Sequence, residues 1–110
     1  MSYIRDISKS FQTGLSTYKY TSLTTADISI QSPDFVNCST TEASFNVTLP
    51  AEPEENDIVA IFDVAESFGT NSLMVLRNGK KIMNLEEDLE INIDNTLVEL
   101  KYSNGDWRIL

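Results

Sequence analysis

The sequence predicts an all-β protein, a single antiparallel β-sandwich or barrel of about eight short strands with an extended N-terminal arm. Three observations lead there. From about Ser44 to Ile109, short apolar runs are separated by Asn, Asp and Gly turn residues. Within several of those runs apolar and polar residues alternate, the period of a half-buried strand. No part of the second half sustains the apolar stripe of an amphipathic helix.

Residues 1–16 hold scattered apolar positions among Ser, Gln, Thr and Gly14, and are read as the arm; residues 17–110 are read as the β-sandwich domain. In the domain, Tyr18, Tyr20 and Ser22 alternate with Lys19, Thr21 and Leu23, residue types that favour a pleated surface. A brief strand is expected from Phe35 to Cys38, after Pro33 and before a turn at Thr40-Thr41-Glu42. Ala43, Phe45, Val47 and Leu49 alternate with Ser44, Asn46 and Thr48, a strand that Pro50 stops. The apolar run Ile58 to Phe62, bounded by Asp57 and Asp63, reads as a central strand covered on both faces. Leu73 to Leu76 reads the same way. Arg77-Asn78-Gly79-Lys80 then carries the Asn-Gly pair that favours a type I′ hairpin, with a return strand at Lys81 to Asn84. Leu89, Ile91 and Ile93, and after an Asn95 turn Val98, Leu100 and Tyr102, form a further expected hairpin. Asn104-Gly105 is a last tight turn before Trp107 and Ile109, which places Trp107 in the core.

With 110 residues, a single core is expected. No run approaches the roughly 20 apolar residues that cross a bilayer, and the N-terminus lacks the apolar stretch of a secretory signal. The lone Cys38 has no partner for a disulfide or a thiolate metal site and reads as a small strand residue. Charge is uneven. Residues 1–26 carry three bases against one acid, and residues 27–110 carry five bases against sixteen acids. An acidic body disfavours nucleic acid, which is held by Lys and Arg on phosphates, and it disfavours anionic membrane surfaces too. The basic arm suits an acidic protein surface, on a sister subunit or another protein; a solvated terminus is the plain alternative.

The chain has no His, so Ser/His/Asp and Cys/His mechanisms are excluded. Carboxylate pairs such as Asp57 with Asp63, or Glu86 with Asp88, are the remaining catalytic candidates, against the ordinary role of solvated turn acids. The acidic loop from Glu52 to Asp57 contains Pro53 and lacks a calcium-loop spacing, and the glycines are too dispersed for a phosphate cradle. No cofactor or metal is expected. Tyr3, Tyr18, Tyr20, Tyr102 and Trp107 could supply a carbohydrate-stacking face, although alternation directs Tyr102 and Trp107 inward with Leu100 and Ile109.

The run from Thr48 to Ile109 carries Leu49-Pro50, Asn56-Asp57-x5-Asp63, Asn71-x-Leu73-x-Val75-x-Arg77-Asn78-Gly79-x-x-Ile82, Glu87-Asp88-Leu89 and Tyr102-x4-Trp107-Arg108. In these pieces it resembles small β modules of tailed-bacteriophage virions, found in tail fibres, head fibres and capsid or tail decoration proteins. Those modules tend to have Gly-Asp where this chain has Asn56-Asp57, and Asn accepts the same turn conformation. The resemblance implies a non-enzymatic virion protein, made in the host bacterial cytoplasm, that self-associates as a homotrimer and contacts major capsid, collar or tail proteins. It gives Asp57, Asp63, Arg77, Asn78, Gly79, Tyr102, Trp107 and Arg108 a structural role. Tyr3, Ile4, Arg5, Ile7 and Phe11 in the arm are then the expected anchor, unless the arm caps an open sheet edge. The alternative function is a carbohydrate or receptor-binding module.

Overall fold

The computed structural model describes residues 17–110. These residues are all-β, with ten strands and no helix among them. In chain order the strands are β1 (Lys19–Tyr20), β2 (Ile28–Ser29), β3 (Asp34–Cys38), β4 (Asn46–Thr48), β5 (Ile58–Asp63), β6 (Leu73–Leu76), β7 (Lys81–Ile82), β8 (Leu89–Ile91), β9 (Leu97–Ser103) and β10 (Asp106–Ile109). They form a six-stranded sheet in the order β1-β3-β5-β9-β10-β7 and a four-stranded sheet in the order β2-β4-β6-β8.

From β1 to β9 each strand lies in the other sheet from the one before it. Sequence neighbours therefore do not pair, and strands two apart run parallel, as β1, β3 and β5 do in one sheet and β2, β4 and β6 in the other. The β10–β7 pair is parallel too. Only β5–β9, β6–β8 and β9–β10 are antiparallel. Both sheets are mixed, which corrects the expectation of an antiparallel fold.

The reason is visible at Asn78-Gly79. The turn itself forms as its residues require, with φ of 53° and 89° and a Lys80 N–H to Arg77 carbonyl bond of 3.2 Å. Yet β6 already has β4 on one side and β8 on the other, so no free edge remains for β7. The turn delivers the chain to the six-stranded sheet, where β7 pairs with β10. The same argument removes the second expected hairpin, because β9 is flanked by β5 and β10 while β8 is the edge of the other sheet. The third expected hairpin forms: β9 and β10 pair antiparallel across Asn104-Gly105, with Ser103 opposite Asp106. The expected return strand is shortened to Lys81–Ile82, since Met83 and Asn84 take positive φ and turn the chain at once.

One hydrophobic cluster draws on both sheets, with Val36, Val59, Ile61, Leu100 and Trp107 from the larger and Val47, Leu73, Val75 and Ile91 from the smaller. Phe45, Leu49 and Phe68 join it from connecting segments. The alternation read between Ala43 and Leu49 holds at Phe45, Val47 and Leu49, all buried, while Ala43 is exposed. Trp107 is completely buried, as expected, and meets Tyr102 edge to face at 5.2 Å. Leu73–Leu76 is buried on one face only, a correction to the two-sided reading.

Candidate functional site

Two regions carry more chemistry than packing requires. The first is a polar node at the end of β5. Asp63 faces inward beside Cys38, its partner in the parallel β3–β5 register, and is fully buried. A bare carboxylate there would be costly. It instead accepts the Ser67 N–H at 2.9 Å, the Phe68 N–H at 3.0 Å, the Asn95 N–H at 3.1 Å and the Ser67 hydroxyl at 3.2 Å. Burial pushes its pKa up, but these four donors together outweigh burial and hold it below the usual carboxylate range. Ser67 Oγ also accepts the Thr40 N–H at 2.9 Å, and Thr40 Oγ1 donates to the Asn71 carbonyl at 2.6 Å. The node thus binds the segments after β3, after β5 and between β8 and β9 into one end of the molecule. Burial and the neighbouring Asp63 charge push the Cys38 thiol up to about 12, so it is unreactive near neutral pH.

A second tie closes the same end. The Gly69 N–H donates to Asp94 Oδ1 at 2.7 Å, and a Cβ on residue 69 would lie 2.8 Å from that oxygen. Gly69→Ala is expected to push Asp94 away and lose the bond, costing about 1–2 kcal/mol in chemical denaturation. In an Asp94→Ala background the same change should cost much less, because the clashing carboxylate is gone. Equal costs in the two backgrounds would refute the contact.

The second region is the outer face of the six-stranded sheet over β1, β3 and β5. Register places Tyr20, Phe35, Ala60 and Glu99 in one row across it, and Asn37, Phe62 and Leu97 in the next. Phe35 is the hub, with ring centroids 5.6 Å from Tyr18, 4.6 Å from Tyr20 and 6.2 Å from Phe62. The Tyr18 hydroxyl donates to Glu99 Oε2 at 2.9 Å. Tyr20 remains 65% exposed at the rim, while Ala60 in the middle is completely buried. Tyr18 and Tyr20 were expected in an aromatic face; Phe35 and Phe62 were not. The signal for Phe62 was its place in a run read as covered on both faces, which requires something outside to cover it.

The residues that carry the virion resemblance lie in several places. Asp57 accepts the Glu54 N–H at 2.9 Å and closes the turn entering β5, with Asn56 at a φ of 73°, the left-handed conformation its family equivalent would take as Gly. Asp57 and Asp63 bracket a six-residue strand, which separates them by about 20 Å. Glycoside hydrolysis needs its two carboxylates within about 10 Å, so they are not a catalytic pair. Arg77 donates from Nη1 to the Lys80 carbonyl at 3.0 Å, and its N–H donates to Asp88 Oδ1 at 2.9 Å. Asp88, the other paired-acid candidate, thereby holds the crossover turn. Asn78 donates from Nδ2 to the Leu49 carbonyl at 3.0 Å, fastening that turn to the end of β4. Gly79 supplies the second positive φ. Tyr102 and Trp107 pack inward, and Arg108 pairs with Asp106 at 3.2 Å on the surface. Glu55 is held below its usual pKa first by the Asn104 N–H and then by the Ser103 hydroxyl, which ties the loop before β5 to the β9–β10 turn.

Among the described residues, no group of three or more His, Cys, Asp and Glu side chains is placed to hold a metal ion. No helix among them is long and apolar enough to cross a membrane. The arm residues Tyr3, Ile4, Arg5, Ile7 and Phe11 lie outside the described residues. No protein-family model matches the chain, and no curated protein matches it.

Proposed function

We propose that this chain is a non-enzymatic structural protein of a bacteriophage virion, a decoration or fibre component. In this reading residues 17–110 form a β-sandwich whose layers are the two sheets, supported by the one core cluster that both supply. The domain is displayed on the particle and attached to capsid, collar or tail through Tyr3, Ile4, Arg5, Ile7 and Phe11, with three copies associating. The protein is made in the bacterial cytoplasm and ends in the virion.

The observation that carries the reading is the use to which the polar motif residues are put. Asp57, Asp63, Arg77 and Asn78 each satisfy backbone groups of a turn or crossover. Catalytic groups are held ready for a substrate; these are spent on holding strands and turns, which suits a protein that must stay folded outside the cell. The test is immunogold labelling of purified phage particles produced by the host that carries the gene. Labelled particles are expected, and particles devoid of the protein while the lysate contains it would overturn the proposal. Light scattering on the full-length protein should give about three times the 12.4 kDa chain mass.

A carbohydrate-binding function has one observation in its favour, the exposed Tyr20 ring. Against it, the rings around Phe35 are tilted by 43°, 59° and 73° to its plane and offer no continuous flat platform. Binding on a glycan array that disappears in Tyr20→Ala would establish it.

A further inference from the structure

The outer face of β1, β3 and β5 is aromatic and belongs to the parallel part of its sheet. Parallel strands are normally covered on both faces, because their connections bring chain across them. Here the inner face is covered by the second sheet's side chains, and the outer one only by its own rings, with Tyr20 and Leu97 still 65% and 41% exposed. What would complete the cover is indicated by Tyr18. Two strands, β3 and β5, lie between β1 and β9, so the backbones of β1 and β9 are roughly 14 Å apart. Tyr18 nevertheless bonds Glu99 on β9 and packs edge-on against Phe35. The side chain that precedes β1 by one residue is therefore laid across this face, and the chain leading to it starts from above the face.

We propose that the N-terminal segment of the same chain, residues 1–16, seats on this face and completes its apolar cover through Tyr3, Ile4, Ile7 and Phe11. Its length is ample, since 16 extended residues reach about 50 Å. Its charge suits the seat: residues 1–16 carry Arg5 and Lys9 against Asp6, while residues 17–110 carry sixteen acids against six bases. The tilted rings favour interdigitating side chains over a flat sugar, since Phe35 meets all three neighbours edge-on or inclined. The inference does not depend on the virion reading. It adds a consequence to it, because a segment seated here must leave its own sheet before the same side chains can anchor the domain elsewhere.

The test uses the full-length chain. Ser10→Cys provides a site for a nitroxide label, and the buried Cys38 does not compete for it. With label and isotope on one molecule, NMR signals of Tyr20, Phe35, Phe62 and Leu97 are expected to lose intensity. In a mixture of labelled unenriched protein with unlabelled enriched protein they should not. Adding Ile7→Ser and Phe11→Ser to the labelled chain should restore the signals. Absence of any loss on this face would overturn the proposal, and loss only in the mixture would overturn it in favour of a second copy as the occupant.

Discussion

Trp107→Ala is expected to cost about 3–5 kcal/mol of folding stability. Small domains are stable by about 5–15 kcal/mol, so the variant should be largely unfolded at modest urea concentrations. The side chain is completely buried in the cluster that joins the two sheets, and β10 sits between β9 and β7, so the cavity opens where neither sheet can close over it. The indole Nε1 has no hydrogen-bond partner. An unpaired buried donor is a cost that the native protein already bears. Trp107→Phe removes that cost while keeping most of the apolar contact, and should therefore lose less than half of what the Ala variant loses. Urea denaturation followed by far-UV circular dichroism measures both. A Phe variant as unstable as the Ala variant would show that the indole shape, and not its burial, is what the site needs.

Asp63→Ala is expected to cost about 3–5 kcal/mol, because it leaves the N–H groups of Ser67, Phe68 and Asn95 without their acceptor. Asp63→Asn keeps one oxygen but turns an amide donor towards other donors, and should be damaging as well. The carboxylate also has a pH signature. Its folded pKa lies below the unfolded value of about 3.9, so its stabilisation is fully present above that value and is lost as pH falls through the folded pKa. Wild-type stability should decline from about pH 5 downward, and the Asp63→Asn variant should show a shallower decline over the same interval. Identical acid profiles for the two proteins would remove Asp63 from the account. Glu55 shifts in the same direction, but at the surface, where solvent screens its contribution.

Both residues were legible before the fold was known, though in different degrees. Trp107 follows a two-residue turn and alternates with Ile109, so its inward direction could be read directly. Asp63 could be singled out only through the virion resemblance; nothing in its spacing announced a buried carboxylate, since its donors come from residues 67, 68 and 95. The aromatic face was half legible. Tyr18 and Tyr20 alternate in a way that puts them on one side of a strand, but Phe35 and Phe62 join them only through the β1–β3–β5 register. The arm residues placed in the proposed anchor stand on composition alone.

By itself the sequence determined that this is a β protein, where its chain reverses and which residues of several strands face inward. These are local properties: alternation with a period of two, and Asn or Gly where φ must be positive, as at Asn56, Asn78, Gly79, Asn104 and Gly105. Only the tertiary structure decided which strand pairs with which, and in which direction. A turn fixes a reversal but not a partner, because pairing goes to whichever edge is still open. With β6 enclosed by β4 and β8, and β9 by β5 and β10, the turns after β6 and β8 became passages between sheets. Parallel pairing of strands two apart followed from that alternation, and with it came the outer aromatic face and its need of cover.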